Sequence, residues 1–194
     1  MTQALYLLRQ EKDPTKAIAV ARGFFRKSSE ASPWDVDYRV EQTRTETLAL
    51  RWALANGKAD SAMFDAAFAP LVPILAKERA NPQVYEALAE VYELRAGWLL
   101  ERKKNAENEL AMGLVMANKA LAIHPTLATA LASKGALHLL RARAAARGAK
   151  ARTQAAREAK ASLEAALREN PLLARERGAA LKEAERLLSQ EGSE

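Results

Sequence analysis

Apolar residues in this 194-residue chain fall in helical stripes interrupted at Pro33, Pro82, Pro125 and Pro171, which stand 49, 43 and 46 residues apart. No run alternates apolar and polar positions over a strand's length, the signal a half-buried strand leaves. Each of these prolines ends one helical pattern and opens another. The ring pushes its predecessor out of the α region, while its fixed φ suits a helix's first turn. Between prolines each unit divides in two. The segment 34–58 ends at Asn56-Gly57, a helix stop, and 59–80 starts at Asp60 or Ser61, a cap. Segments 83–105 and 106–124 follow, then 126–148, stopped by Gly148, and 149–170. The pattern predicts an all-α single domain over 1–194 with helix pairs 2–32, 33–81, 82–124 and 125–170. A lone capping helix, 172–190, completes nine helices. Pro70 and Pro73 lie inside 59–80 and should kink or break that helix.

Composition supports the helical pattern. Alanine, leucine, arginine and glutamate dominate, all strong helix formers, and aromatics are 6%. With no cysteine, disulfides and thiolate metal sites are excluded. No apolar stretch approaches the roughly 18 residues of a membrane span, and no signal-peptide run opens the chain, so a cytoplasmic protein is expected. The net charge of +6 is local, because 141–160 carries seven basic side chains and one acidic one. Such a stretch is either a solvated helix face or an attraction for anionic partners.

Counted back from the prolines, Ala21-x3-Phe25, Gly113-x3-Ala117 and Ala159-x3-Leu163 stand in one phase, with Pro70-x3-Ile74 a poorer match. Counted forward, Leu131, Gly135 and His138 follow Pro125 as Leu88, Tyr92 and Arg95 follow Pro82. Glycine inside a helix costs about 1 kcal/mol against alanine. Gly135 therefore marks either a chance substitution or a point where a partner helix leaves no room for a side chain. These residues resemble tetratricopeptide repeats. Their period, longer than 34 residues, is similar to that of repeats C-terminal to the kinase domain in large myxobacterial-type serine/threonine protein kinases. The likeness implies a right-handed α-solenoid of antiparallel helix pairs; a closed helical bundle is the alternative. It further implies a non-catalytic protein–protein interaction scaffold, with a protein or peptide as partner and no cofactor. No glycine-rich loop, His-Arg-Asp or Asp-Phe-Gly of a kinase is present.

In such an array the first helix of each unit lines a concave groove. The resemblance thus points to Glu86, Glu90, Glu93 and Trp98, flanked by Asp37, Glu41 and Arg44 and by Thr129 and Ser133, as a docking surface for a basic or amphipathic segment. The plainer reading of the three glutamates is a solvated acidic stripe. The lysine/asparagine clamp of chaperone-binding repeats has no counterpart. A second candidate surface is a basic edge at the turns within units: Lys58, Arg102, Lys103, Lys104, Arg147, Lys150 and Arg152. It would bind anions or nucleic acid with strong salt dependence, although no aromatics are interleaved for base stacking. His124 and His138 stand 14 residues apart, too far for a helix-borne metal pair. His124 falls at a helix C-terminus, where imidazole complements the dipole. Neither has a carboxylate near it in sequence to orient it for catalysis. Trp34, Trp52 and Trp98 are expected to pack between helices, as are Met112 and Met116.

Overall fold

The computed structural model describes residues 2–10, 12–32, 34–77, 80–146 and 148–191, so Pro33 and Arg147 lie outside the described residues. Among those described, the chain is helical and holds no strand. In order come α1 (Thr2–Arg9), α2 (Thr15–Ala31), α3 (Val36–Ala55), α4 (Ser61–Phe68), α5 (Val72–Leu75) and α6 (Pro82–Glu101). Then follow α7 (Glu107–Ile123), α8 (Ala128–Ala144), α9 (Lys150–Glu169), a 3-10 turn (Pro171–Leu173) and α10 (Ala174–Glu191). The tenth helix, beyond the nine expected, arises where Pro70 and Pro73 break the segment 59–80 into α4 and α5.

Short polar side chains set the helix starts. Asp35 accepts from the Tyr38 N–H at 3.1 Å and Asp60 from the Met63 N–H at 3.0 Å, capping α3 and α4. Asn81 and Asn105 accept from Gln83 and Glu107 N–H groups at 2.9 and 2.8 Å, just before α6 and α7. α3 stops where Gly57 takes φ +66°, which lets Lys58 N–H donate to the Ala53 carbonyl at 2.8 Å. The α6 end repeats this with Lys103 at φ +56°, a conformation costly for a side chain with a Cβ.

Packing gathers the chain into two compact units, Met1–Ala87 and Leu88–Glu194, divided within α6. In the first, α1 and α2 pack on each other and on α3, and α3 packs on α4. Ala4, Ile18, Leu48 and Ala49 are buried together, with Leu8, Ala17 and Met63 against them. α3 also buries Thr43, Thr45 and Thr47, and the hydroxyls of Thr45 and Thr47 donate at 2.9 Å to carbonyls one turn back. In the second unit α7 packs on α8, α8 on α9, and α9 on α10. One cluster joins Ala96, Ala106, Leu110, Leu114 and Leu137; the other joins Leu139 and Ala142 to Ala155, Ala156 and Ala159, closed by Ala184 and Leu187 of α10.

These alanine-rich interfaces bring backbones close, and the glycines mark the tightest points. A Cβ on Gly135 would lie 2.6 Å from Leu163 Cγ and 3.1 Å from the Ala159 carbonyl oxygen. One on Gly113 would lie 2.8 Å from Leu137 Cδ2 and 3.0 Å from Tyr92 Cβ. The two crossings are equivalent in register: Tyr92 and Gly135 each stand ten residues after a proline, Gly113 and Ala159 twelve before the next. Gly135 is thus the point of no room, and not a chance glycine. Gly135→Ala should lose stability, because overpacking costs about 1–3 kcal/mol against the roughly 1 kcal/mol of helix propensity gained. Gly178→Ala, inside α10 with no atom within 4 Å of the new methyl, should gain stability. Urea unfolding of the two variants checks both signs.

Candidate functional site

The acidic face of α6 is not the solvated stripe or open docking face the sequence suggested. Glu86 is 4% exposed and Glu93 8% exposed. Burying an unpaired carboxylate is prohibitive, and each has an arginine. Arg44 Nη2 donates to Glu86 Oε2 at 3.1 Å and Nη1 to Glu41 Oε1 at 2.8 Å, tying α3 to the start of α6. In the second unit Arg177 of α10 grips Glu93 with both terminal nitrogens, Nη2 to Oε2 at 3.1 Å and Nη1 to Oε1. Burial opposes the Arg177 charge, but Glu93, then Glu90 and Glu176, outweigh it and hold its pKa above the ordinary arginine value. Arg44 is raised likewise, burial being outweighed by Glu86 and Glu41. Both sets of bonds are charge-assisted, and the fork of Arg177 onto one carboxylate is geometrically specific as well. They neutralise the stripe from within.

The remaining groove candidates divide. Asp37 and Thr129 are exposed in the first turns of α3 and α8, and Glu90 is half-buried. Ser133 is buried, a correction to its proposed place on a docking face, because the inward side of α8 carries it into the core. Trp98 is half-buried, with the Arg102 guanidinium 4.4 Å and Lys104 Nζ 6.0 Å from its ring, so its own turn covers it. Trp34 is another correction: it sits exposed ahead of α3, in a turn and not an apolar stripe, with Lys77 Nζ 3.2 Å from its ring centroid. Trp52 is half-buried and Met116 buried, with Met112 partly so.

Of the basic-edge residues, Lys58 is exposed at the α3 stop in the first unit. In the second, Arg102, Lys103, Lys104 and Lys150 are exposed and Arg152 is half-buried; Arg147 lies outside the described residues. Lys103, Lys104 and Asn105 border a hollow of about 470 Å³ together with Leu100 and Ala144, which brings the α6–α7 turn beside the end of α8. Carboxylates are interleaved there. Arg143 is bound through Nε to Glu183 Oε1 at 2.8 Å, and Arg141 lies 3.6 Å from Glu107. The α6–α7 turn does meet the end of α8, but the charge around it is mixed.

His124 caps the end of α7, its N–H donating to the Ala120 carbonyl at 2.9 Å. His138 is buried between α8 and α9, with Nδ1 2.9 Å from Glu158 Oε2, a neighbour twenty residues away that sequence proximity could not supply. Its pKa is lowered chiefly by burial, which Glu158 opposes and Lys134 and Arg141 reinforce. Among the described residues no group of three or more acidic or histidine side chains is placed to hold a metal ion, and no helix is long and apolar enough to cross a membrane. Compared with known protein families, curated proteins and solved structures, the chain matches none.

Glu93→Ala strands a buried guanidinium and should cost about 3–5 kcal/mol in denaturant unfolding. Arg22→Ala, which breaks the half-exposed pair with Glu46 (2.5 Å), should cost about 1 kcal/mol or less. Because the His138 pKa is depressed in the folded state, its contribution is complete above the unfolded value near 6.5 and is lost progressively as pH falls below it. The melting temperature should drop between pH 7.5 and 5.5, with a shallower drop in His138→Gln.

Proposed function

We propose that this chain is a non-catalytic protein–protein interaction module, a right-handed stack of tetratricopeptide-like helix pairs with lengthened units. On this reading it is the repeat region of a bacterial serine/threonine protein kinase or a related signalling protein, acting in the cytoplasm. The observation that carries the reading is the recurring crossing. In two successive units the residue ten after one proline meets the residue twelve before the next, Tyr92 against Gly113 and Gly135 against Ala159. The eight positions of the second-helix signature, Ala21, Phe25, Pro70, Ile74, Gly113, Ala117, Ala159 and Leu163, are all buried. Recurrence of one contact at one register is what stacked repeats require.

The partner does not dock on Glu86, Glu93 or Ser133, which serve the interior. The rival, an anion or nucleic-acid binder working through the basic edge, has the exposed Lys58, Arg102, Lys103, Lys104 and Lys150 to work with; of the wider basic run, Arg141 and Arg143 are paired with Glu107 and Glu183. Small-angle scattering should return a radius of gyration well above the about 16 Å of a compact globule of this length; a value at that figure would sink the stacked-repeat reading. Affinity capture from the native host should retain a protein partner through a high-salt wash. Recovery of nucleic acid that salt removes would transfer the assignment to the basic edge.

A further inference from the structure

In the first unit α1 and α2 enclose a groove of about 420 Å³ whose lining includes Ala4, Ala17 and Ala21 with Val20, Phe24 and Phe25. Its lip on α2 is apolar and open: Val20 is 76% exposed and Phe24 58%. Large apolar side chains clustered at the surface mark interaction sites, and the alanines let an incoming backbone approach. Val20 and Phe24 are one helical turn apart, and the same stripe of α2 is continued by exposed Lys16 before them and Lys27 after them. The one acid in the lining, Glu41, is neutralised by Arg44 at 2.8 Å. An apolar groove remains, with Lys16 near Asp13 beyond one end and Lys27 beyond the other.

We propose that this groove takes an amphipathic helix of a partner protein, with leucine-like anchors over Val20 and Phe24 and acidic residues opposite Lys16 and Lys27. The inference rests on reading the chain as an interaction module and adds the partner's chemistry to it. A concavity roomy enough for side chains favours a helix, whose anchors at i, i+4 and i+7 fill such grooves, over a lipid surface, which offers no protruding anchors.

The probe is a fluorescein-labelled helical peptide with leucines at i, i+4 and i+7 flanked by glutamates, titrated with the full chain and followed by anisotropy. It should bind, while versions with lysine for glutamate, or alanine for leucine, should bind at least about tenfold more weakly. Val20→Asp combined with Phe24→Asp should cost roughly tenfold or more. Lys16→Glu with Lys27→Glu should reverse the preference between acidic and basic peptides. All four positions are exposed, so circular dichroism and unfolding should be unchanged. Equal binding of both peptides, indifference to these variants, or no binding at all overturns the proposal. So does cosedimentation with phosphatidylserine vesicles that Phe24→Asp abolishes, or a chain dimer that the same substitution dissociates. If the peptides fail while scattering and affinity capture succeed, the groove assignment falls and the interaction module stands.

Discussion

The close approach of α8 to α9 at Gly135 governs the packing of the second unit. At that crossing the neighbouring helix offers a carbonyl oxygen and the branch point of a leucine, and neither yields to a methyl group as the end of a flexible side chain would. Contact at that distance lets alanines serve as a core. Ala142, Ala155, Ala156 and Ala159 bury completely or nearly so, and Leu139 and Leu187 fill what is left. Small residues gain little from the hydrophobic effect one by one. Their contribution is the dense dispersion contact that short interhelical distances allow.

A second constraint follows from covering helices rich in charge. α9 and α10 carry mostly polar sequence, so joining them to their neighbours brings charged groups inward. The structure meets this with arginine–carboxylate pairs between helices far apart in sequence: forked for Arg177 with Glu93 and Arg143 with Glu183, and, in the first unit, a single contact of Arg44 with Glu86. Buried pairs such as Arg177 with Glu93 add little net stability over an apolar contact of equal shape, yet breaking one leaves a charge without water or partner. Their effect is directional. They fix which helix lies against which, and α10 is held by one near its start, at Arg177, and one at its middle, at Glu183, as well as by Ala184 and Leu187.

The same pairing redirects the functional reading. A carboxylate stripe and a run of arginines look like two binding surfaces of opposite sign, but folding gives members of each a partner elsewhere: Glu86 and Glu93 take Arg44 and Arg177, and Arg141 and Arg143 take Glu107 and Glu183. The groove edged by Val20 and Phe24, with lysines beyond it on the same stripe, is modest in charge and apolar in character. Specificity would then come from anchor shape, with charge setting orientation.

Helical class, the break at Pro70 and Pro73, the stop at Asn56-Gly57 and the tight crossing at Gly135 were all legible in the chain, because each depends on neighbours within a few residues or on a period that repeats. The fate of Glu86, Glu93 and Ser133 was not legible. Three acids at helical spacing look identical whether they face water or a guanidinium, and Arg177, 84 residues beyond Glu93, leaves no local trace of the encounter. The burial of Thr45 and Thr47 in α3 is likewise a tertiary outcome, made tolerable because their hydroxyls donate back along their own helix. Backbone preference acts locally and is written in order along the chain. Neutralisation of charge is settled only when distant helices meet, since the energy depends on what displaces the water.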